Sequence, residues 1–171
     1  MGGIIGYIGD RQAQPILVNS LKRLEYRGCD SYGIAVLGHE ITVCKDVGRV
    51  SNLESILKPI AGKVGIGHTR LATHGKPSQV NAHPHLGCQG NIAVVHNGVI
   101  NNFQKLKQKL ISEGHNFVSE TDTEVIPHLI EKYYDGNLEK AVELALHDVE
   151  GSYAIIVLMA GEFKLITAGK D

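Results

Sequence analysis

With 171 residues, 43% of them hydrophobic and 20% charged, the chain is long enough for one globular domain with a sizeable core. Its 17 Lys and Arg against 18 Asp and Glu leave a formal net charge of −1, which argues against nucleic acid as a partner, and no apolar run is long enough to span a membrane. The N-terminus lacks the basic flank of a signal peptide and has Gly6 where a myristoylation signal needs Ser or Thr, while three unpatterned cysteines (Cys29, Cys44, Cys88) point to a reducing cytoplasm rather than a disulfide framework.

Residues 2 to 9 form a glycine-punctuated apolar run, read as a buried strand. A helix is expected from Gln12 to Tyr26, with Pro15 in its first turn and Leu17, Leu21 and Leu24 as its apolar stripe, ended by Gly28. Tyr32 to Leu37 and Glu40 to Lys45 read as strands joined by a turn at Gly38-His39. A short helix carrying Leu53, Ile56 and Leu57 follows a cap at Ser51 or Asn52 and stops near Pro59. Gly65 to Thr69 is the next strand, residues 70 to 90 a long loop, Asn91 to His96 a strand, and Asn97-Gly98 a turn.

A helix with Phe103, Leu106 and Leu110 on one face runs to Gly114. Thr121 to Glu124 has capping-box spacing ahead of a helix with Val125, Ile126, Leu129 and Tyr133, and Asn137 caps another, to about His147. Ser152 to Met159 and Glu162 to Thr167 read as a hairpin across Ala160-Gly161. Strands, then paired helices, then strands again predict an α+β layered domain. Two apolar strands end in polar loops, one at His68-Thr-Arg70 and one at His96-Asn-Gly98, and such strand ends hold functional groups on a rigid scaffold.

Several segments in register carry a resemblance. They are Gly3-Ile-Ile-Gly-Tyr-Ile-Gly9, Leu24-Glu-Tyr-Arg-Gly28, Gly67-His-Thr-Arg70, Ala72-Thr-His-Gly75, Asn81-Ala-His-Pro-His85, His96-Asn-Gly98 and Ser119-Glu-Thr-Asp-Thr-Glu124. The chain resembles the class II glutamine amidotransferases, and within them the N-terminal glutaminase domain of the glutamine–fructose-6-phosphate aminotransferase (glucosamine-6-phosphate synthase) family. The resemblance implies an N-terminal-nucleophile (Ntn) fold, an αββα sandwich of two stacked antiparallel sheets between helical layers. It implies a cysteine nucleophile at the start of the mature chain, a small-molecule substrate and no cofactor. By position, Arg70 resembles the group that holds the glutamine α-carboxylate and Asp122 the acceptor of its α-ammonium. Thr73 and His74 resemble pocket-wall contacts, and Asn97 with the Gly98 N–H resembles the oxyanion hole.

The chain departs from that pattern where the chemistry should be. Gly2 stands at the nucleophile position and has no side chain to attack with. Cys29, Tyr32, Leu71 and Asn101 replace the tyrosine, alanine, tryptophan and glutamate expected there, and this clustering near the pocket suggests a redesigned, engineered site. One reading moves the nucleophile to Cys29, making a cysteine hydrolase of activated esters. His68, His74 and His96 are then the candidate bases, Tyr32 a candidate oxyanion donor, and Leu71 the opening for a bulkier acyl group. A second reading keeps a glutamine-binding pocket without chemistry. A third makes His74, His83, His85 and Cys88 a metal-binding loop, although their spacing fits no common zinc pattern. The family domain continues past the strand near Thr167, so residues 1–171 are expected to form an incomplete glutamine amidotransferase domain without an isomerase half. A strand edge left unpaired would favour a homodimer.

Overall fold

The computed structural model describes residues 2–53 and 57–171. Two four-stranded antiparallel sheets carry the fold. The first has strand order β1-β4-β2-β3, from β1 (Gly3–Ile8), β2 (Ser31–Leu37), β3 (Ile41–Val47) and β4 (Val64–Arg70). The second has order β5-β6-β7-β8, from β5 (His85–Leu86), β6 (Ile92–Ile100), β7 (Gly151–Met159) and β8 (Leu165–Lys170). Helix α1 (Ala13–Leu24) covers the outer face of the first sheet, and α2 (Phe103–Ser112), α3 (Val125–Tyr133) and α4 (Leu138–His147) lie on the side of the second. No helix among the described residues is long and apolar enough to cross a membrane.

Strand alternation builds three apolar layers from these elements. Leu17, Leu21, Tyr32, Ile34 and Val36 pack between α1 and the first sheet. Ala35, Val64, Ile66, Ala93, Val95, Ile156 and Leu158 fill the space between the sheets. Ile92, Val94, Ile155 and Val157 face Ile126, Leu129, Ile130 and the other helical residues beyond. Both faces of the central strands are therefore buried, which is why their sequences read as continuous apolar runs. Gly65 and Gly67 let α1 lie close to β4, for a Cβ at either position would meet Leu17 or Leu21 at 2.7 Å or 3.2 Å. The result is the αββα sandwich that the resemblance implies.

Several boundaries differ from expectation. Asn97-Gly98 is no turn. β6 runs on to Ile100, with Gly98 paired to Tyr153 of β7, and a positive φ of 137° at Gly98 absorbs the local distortion. Thr121 to Glu124 form no capping box among the described residues. Glu124 instead turns back to accept the N–H groups of Val118 (2.8 Å) and Ser119 (2.7 Å) and the Ser119 hydroxyl (2.6 Å). Asn137 does cap α4, accepting from the Lys140 N–H at 2.9 Å. The short helix expected around Leu53 falls partly on residues 54–56, outside the described residues, and is preceded by a 3₁₀ turn at Val50–Asn52.

The long loop 70–90 is held at three points. Lys45 donates to the carbonyls of Val80 (3.3 Å), Ala82 (2.7 Å) and Pro84 (3.0 Å). Asn81 donates to Lys76 O (2.9 Å) and Glu120 (3.0 Å) and accepts from the Glu120 N–H (2.9 Å). Arg70 donates from Nη2 to the carbonyls of His74 and Gly75. Polar side chains thus satisfy backbone groups that no ladder reaches.

Candidate active-site cleft

On the inter-sheet face of β4, Val64 and Ile66 are followed by His68 and Arg70. On the facing side of β6, Ala93 and Val95 are followed by Asn97. The core thus changes from apolar to polar at one end of the sandwich. There His68 donates from Nε2 to Asn97 Oδ1 at 2.9 Å and ties one sheet to the other. The cleft at this end is narrow, with a volume of about 20 Å³, and its walls include Gly2, His68, Arg70, Asn97, Gly98 and Asp122. Leu71 and Thr73 also border it.

Arg70 is only 4% exposed. Its Nη2 is committed to the 74–75 carbonyls, but Nη1 is buried without a hydrogen-bond partner among the described residues. Burial lowers its pKa, while the carboxylates of Asp30 and Asp122 oppose that shift. Asp122 accepts the Ile100 N–H at 2.8 Å and faces His74 Nδ1 at 3.8 Å. A buried cation with a free donor and a carboxylate therefore share one cleft, a pairing suited to the two ends of a zwitterionic amino acid.

The imidazoles of the cleft are kept neutral. Burial pushes the His68 pKa down to about 3, and its Nδ1 is left without a partner. His83 stacks on His68 with ring centroids 4.2 Å apart, and burial lowers its pKa well below the ordinary value. His96 is lowered by burial too, and its Nδ1 pairs with the Thr123 hydroxyl at 2.7 Å.

At Gly2, where the resemblance implies a nucleophile, the backbone carbonyl accepts from Asn97 Nδ2 (2.8 Å) and Arg27 Nε (3.3 Å). The Asn97 amide is thereby engaged on both sides, by His68 and by Gly2. A Cβ on Gly2 would lie 1.8 Å from the Thr69 carbonyl oxygen, so this backbone holds no side chain there.

The structure brings together Gly2, His68, Arg70, Leu71, Thr73, His96, Asn97, Gly98 and Asp122, with His74 behind Asp122. It does not bring Tyr32 to them. Tyr32 is buried beneath α1, on the opposite face of β2, and cannot donate into the cleft. Cys29 is exposed, next to a Gly28 that packs against the backbone of Arg70 and Leu71, and among the described residues it forms no hydrogen bond to a histidine. Nor are His74, His83, His85 and Cys88 gathered. His83 stacks on His68, His85 meets the Thr121 hydroxyl at 3.0 Å, and Cys88 lies elsewhere, against α3. Thr121 and Thr123 also line the cleft, where the sequence marks them only as part of the Ser119–Glu124 segment and of an expected capping box, not as site residues.

Comparison with known proteins agrees with this geometry. Residues 54–169, more than half of the chain, match the family model of the glutamine amidotransferase domain. The chain is 52% identical over 173 residues to the glutamine–fructose-6-phosphate aminotransferase (isomerizing) of Caldanaerobacter subterraneus subsp. tengcongensis, covering 99% of this chain and 28% of that protein. It is 53% identical over 175 residues to that of Clostridium tetani, covering 100% and 29%. It therefore spans less than a third of the length of these relatives. The structure also superposes on glutamine phosphoribosylpyrophosphate amidotransferase from B. subtilis, solved with ADP and GMP, with a TM-score of 0.84 and 30% identity, covering 99% of this chain and 37% of that one.

Proposed function

The chain belongs to the glutamine amidotransferase domain family, and we propose that its cleft binds glutamine as a free amino acid without hydrolysing it by the family's N-terminal route. The observation that carries this reading is Arg70, a buried guanidinium with one unpartnered nitrogen in the same cleft as Asp122. Under this reading the α-carboxylate takes the free Nη1 and the α-ammonium takes Asp122. Both are charge-assisted contacts in a part-buried site, where each is worth about 1.5–3 kcal/mol. The side-chain amide then points toward Asn97 and the position of Gly2. No thiol stands there, and the Asn97 donor is held by the Gly2 carbonyl. We place the protein in a reducing cytoplasm, where its three free cysteines are stable.

Titration calorimetry with L-glutamine tests the reading. Binding is expected at millimolar ligand or below, with about tenfold or greater weakening in Arg70→Met and no ammonia released. Absence of heat at millimolar L-glutamine overturns it.

A second reading, hydrolysis of activated esters through Cys29, draws support from the exposure of that thiol beside the Arg70–Leu71 segment. It requires a base that reaches Cys29 on substrate binding. Ester turnover that survives Cys29→Ala removes it.

A further inference from the structure

Away from the cleft, three distant segments meet at Cys88, His115, His128 and Glu131. Cys88 lies in the turn after β5, His115 follows α2, and His128 and Glu131 sit on one face of α3. Each contributes one ligand-type atom, and the four atoms all lie within 4.8 Å of one another. The two Nδ1 atoms are 3.3 Å apart. Cys88 Sγ is 3.6 Å from the Nδ1 of His115 and 3.4 Å from that of His128. Glu131 Oε2 is 3.4 Å from the first and 3.8 Å from the second.

Those separations have a geometric meaning. Zinc bonds of about 2.0–2.2 Å to nitrogen or oxygen and about 2.3 Å to sulfur give a tetrahedron with edges of roughly 3.3–3.6 Å. Five separations of 3.3–3.8 Å follow that edge length closely. Protons alone serve the cluster poorly. Two imidazoles, a thiol and a carboxylate converge on one point, and a neutral imidazole that donates from one nitrogen offers only a lone pair at the other.

The surroundings are those of a metal site. Glu131 is oriented by the N–H groups of Cys88 (3.0 Å) and Gln89 (2.9 Å). The Asn116 N–H donates to Cys88 Sγ at 3.4 Å, the type of contact that stabilises a thiolate. His128 is 1% exposed, and its Nε2, turned away from the cluster, has no hydrogen-bond partner among the described residues. Glu124 Oε1 lies 3.7 Å from it. A metal on Nδ1 would fix the proton on Nε2 and direct it toward that carboxylate, the usual outer support of a ligating histidine. A surface pocket lined by Cys88, Gln89, His115 and Glu131 gives an ion a way in.

We propose that Cys88, His115, His128 and Glu131 form a structural binding site for a tetrahedral divalent cation, zinc foremost. A thiolate, a carboxylate and two neutral imidazoles cancel the charge of Zn²⁺, which suits a half-buried position. Four protein ligands leave no open coordination position, so the ion ties the β5–β6 turn and the segment after α2 onto α3. The site is independent of the glutamine reading and stands or falls separately.

The test uses chelator-stripped protein titrated with Co²⁺ and then with Zn²⁺. One Co²⁺ per chain is expected, with the visible bands of a tetrahedral site and a thiolate charge-transfer band, all displaced by Zn²⁺. Cys88→Ser removes the charge-transfer band and His115→Gln weakens binding by at least roughly tenfold, while Cys29→Ser and Cys44→Ser change neither. Zn²⁺ also raises the melting temperature of the parent and not of His115→Gln, a variant whose fold is checked by circular dichroism. No binding at micromolar Co²⁺, or a charge-transfer band that survives Cys88→Ser, overturns the site and leaves a hydrogen-bonded cluster only.

Discussion

Adding a single carbon at Gly2 tests how the N-terminal strand closes the cleft. The Cβ of Gly2→Ala would fall 1.8 Å from Thr69 O, 2.9 Å from Thr69 C and 3.2 Å from Arg70 Cα. All three are backbone atoms of the central strand β4, so no rotamer change relieves the clash and residue 2 itself must move. That motion breaks the contacts of the Gly2 carbonyl with Asn97 Nδ2, at 2.8 Å, and with Arg27 Nε, at 3.3 Å. A neutral hydrogen bond is worth about 1 kcal/mol and one to a charged donor about 1.5–3 kcal/mol. The part-exposed Arg27 contact falls at the low end, which sets the loss at about 2–3 kcal/mol. For a domain of this size that corresponds to a melting temperature lower by about 4–12 °C.

Gly2→Cys shares the same Cβ and is expected to lose the same stability, while freeing Asn97 Nδ2 and returning a thiol to the cleft. Urea unfolding of the parent, Gly2→Ala and Gly2→Cys, with the Asn97 side-chain amide followed by NMR, measures both effects. Ammonia release from glutamine is expected from Gly2→Cys only. An unchanged midpoint in Gly2→Ala, with an unshifted Asn97 amide, refutes the account of the closed strand.

Two further outcomes follow from the packing. Burial keeps His68 at about 3 and His83 and His85 well below their ordinary pKa, so these rings stay neutral in the fold but take protons near pH 6.5 once unfolded. Their stabilising contribution is present above pH 6.5 and is lost as pH falls below it, by roughly 1 kcal/mol per ring between pH 7.5 and 5.5 and a few kcal/mol for the group. Urea midpoints equal at the two pH values contradict that. On β4, Gly65→Ala drives a Cβ to 2.7 Å from the Ala35 carbonyl oxygen, a backbone atom, whereas at Gly67 the nearest atoms are side-chain ends at 3.1–3.3 Å. Gly65→Ala is expected to cost about 1–3 kcal/mol and Gly67→Ala less than about 1 kcal/mol, and the reverse order in urea unfolding would disprove the packing argument.

What the sequence made legible was whatever depends on local periodicity. The period of α1, the apolar run of β2, and the cap at Asn137 need only neighbouring residues, and each appears close to its expected place. Strand parity assigns faces as well. Tyr32 shares its parity with Ile34 and Val36, which places it under α1 and away from the cleft. Asn97-Gly98 has turn composition, yet pairing with β7 overrides that preference, a tertiary effect no short window holds. The grouping of His74, His83, His85 and Cys88 relied on closeness along the loop. The fold keeps His83 and His85 in ring contact but does not bring the four to one point, and it joins Cys88 to two histidines and a glutamate that lie 27, 40 and 43 positions further on.

The motif residues that carry the resemblance around Gly2 need a physical reason if no thiol acts there, and the cleft supplies one for some of them. His68 and Asn97 join the sheets, and Arg70 Nη2 holds the turn at His74 and Gly75. Replacing any of the three would expose or orphan buried groups whether or not a substrate is ever bound. Their presence is therefore weak support for chemistry. Arg70 Nη1 is different, because it is buried and has no hydrogen-bond partner among the described residues, although Asp30 and Asp122 balance the charge of the group. A structural duty explains one half of that guanidinium and leaves the other half for a ligand. The glutamine titration with Arg70→Met therefore addresses the part of the site that the scaffold does not already use.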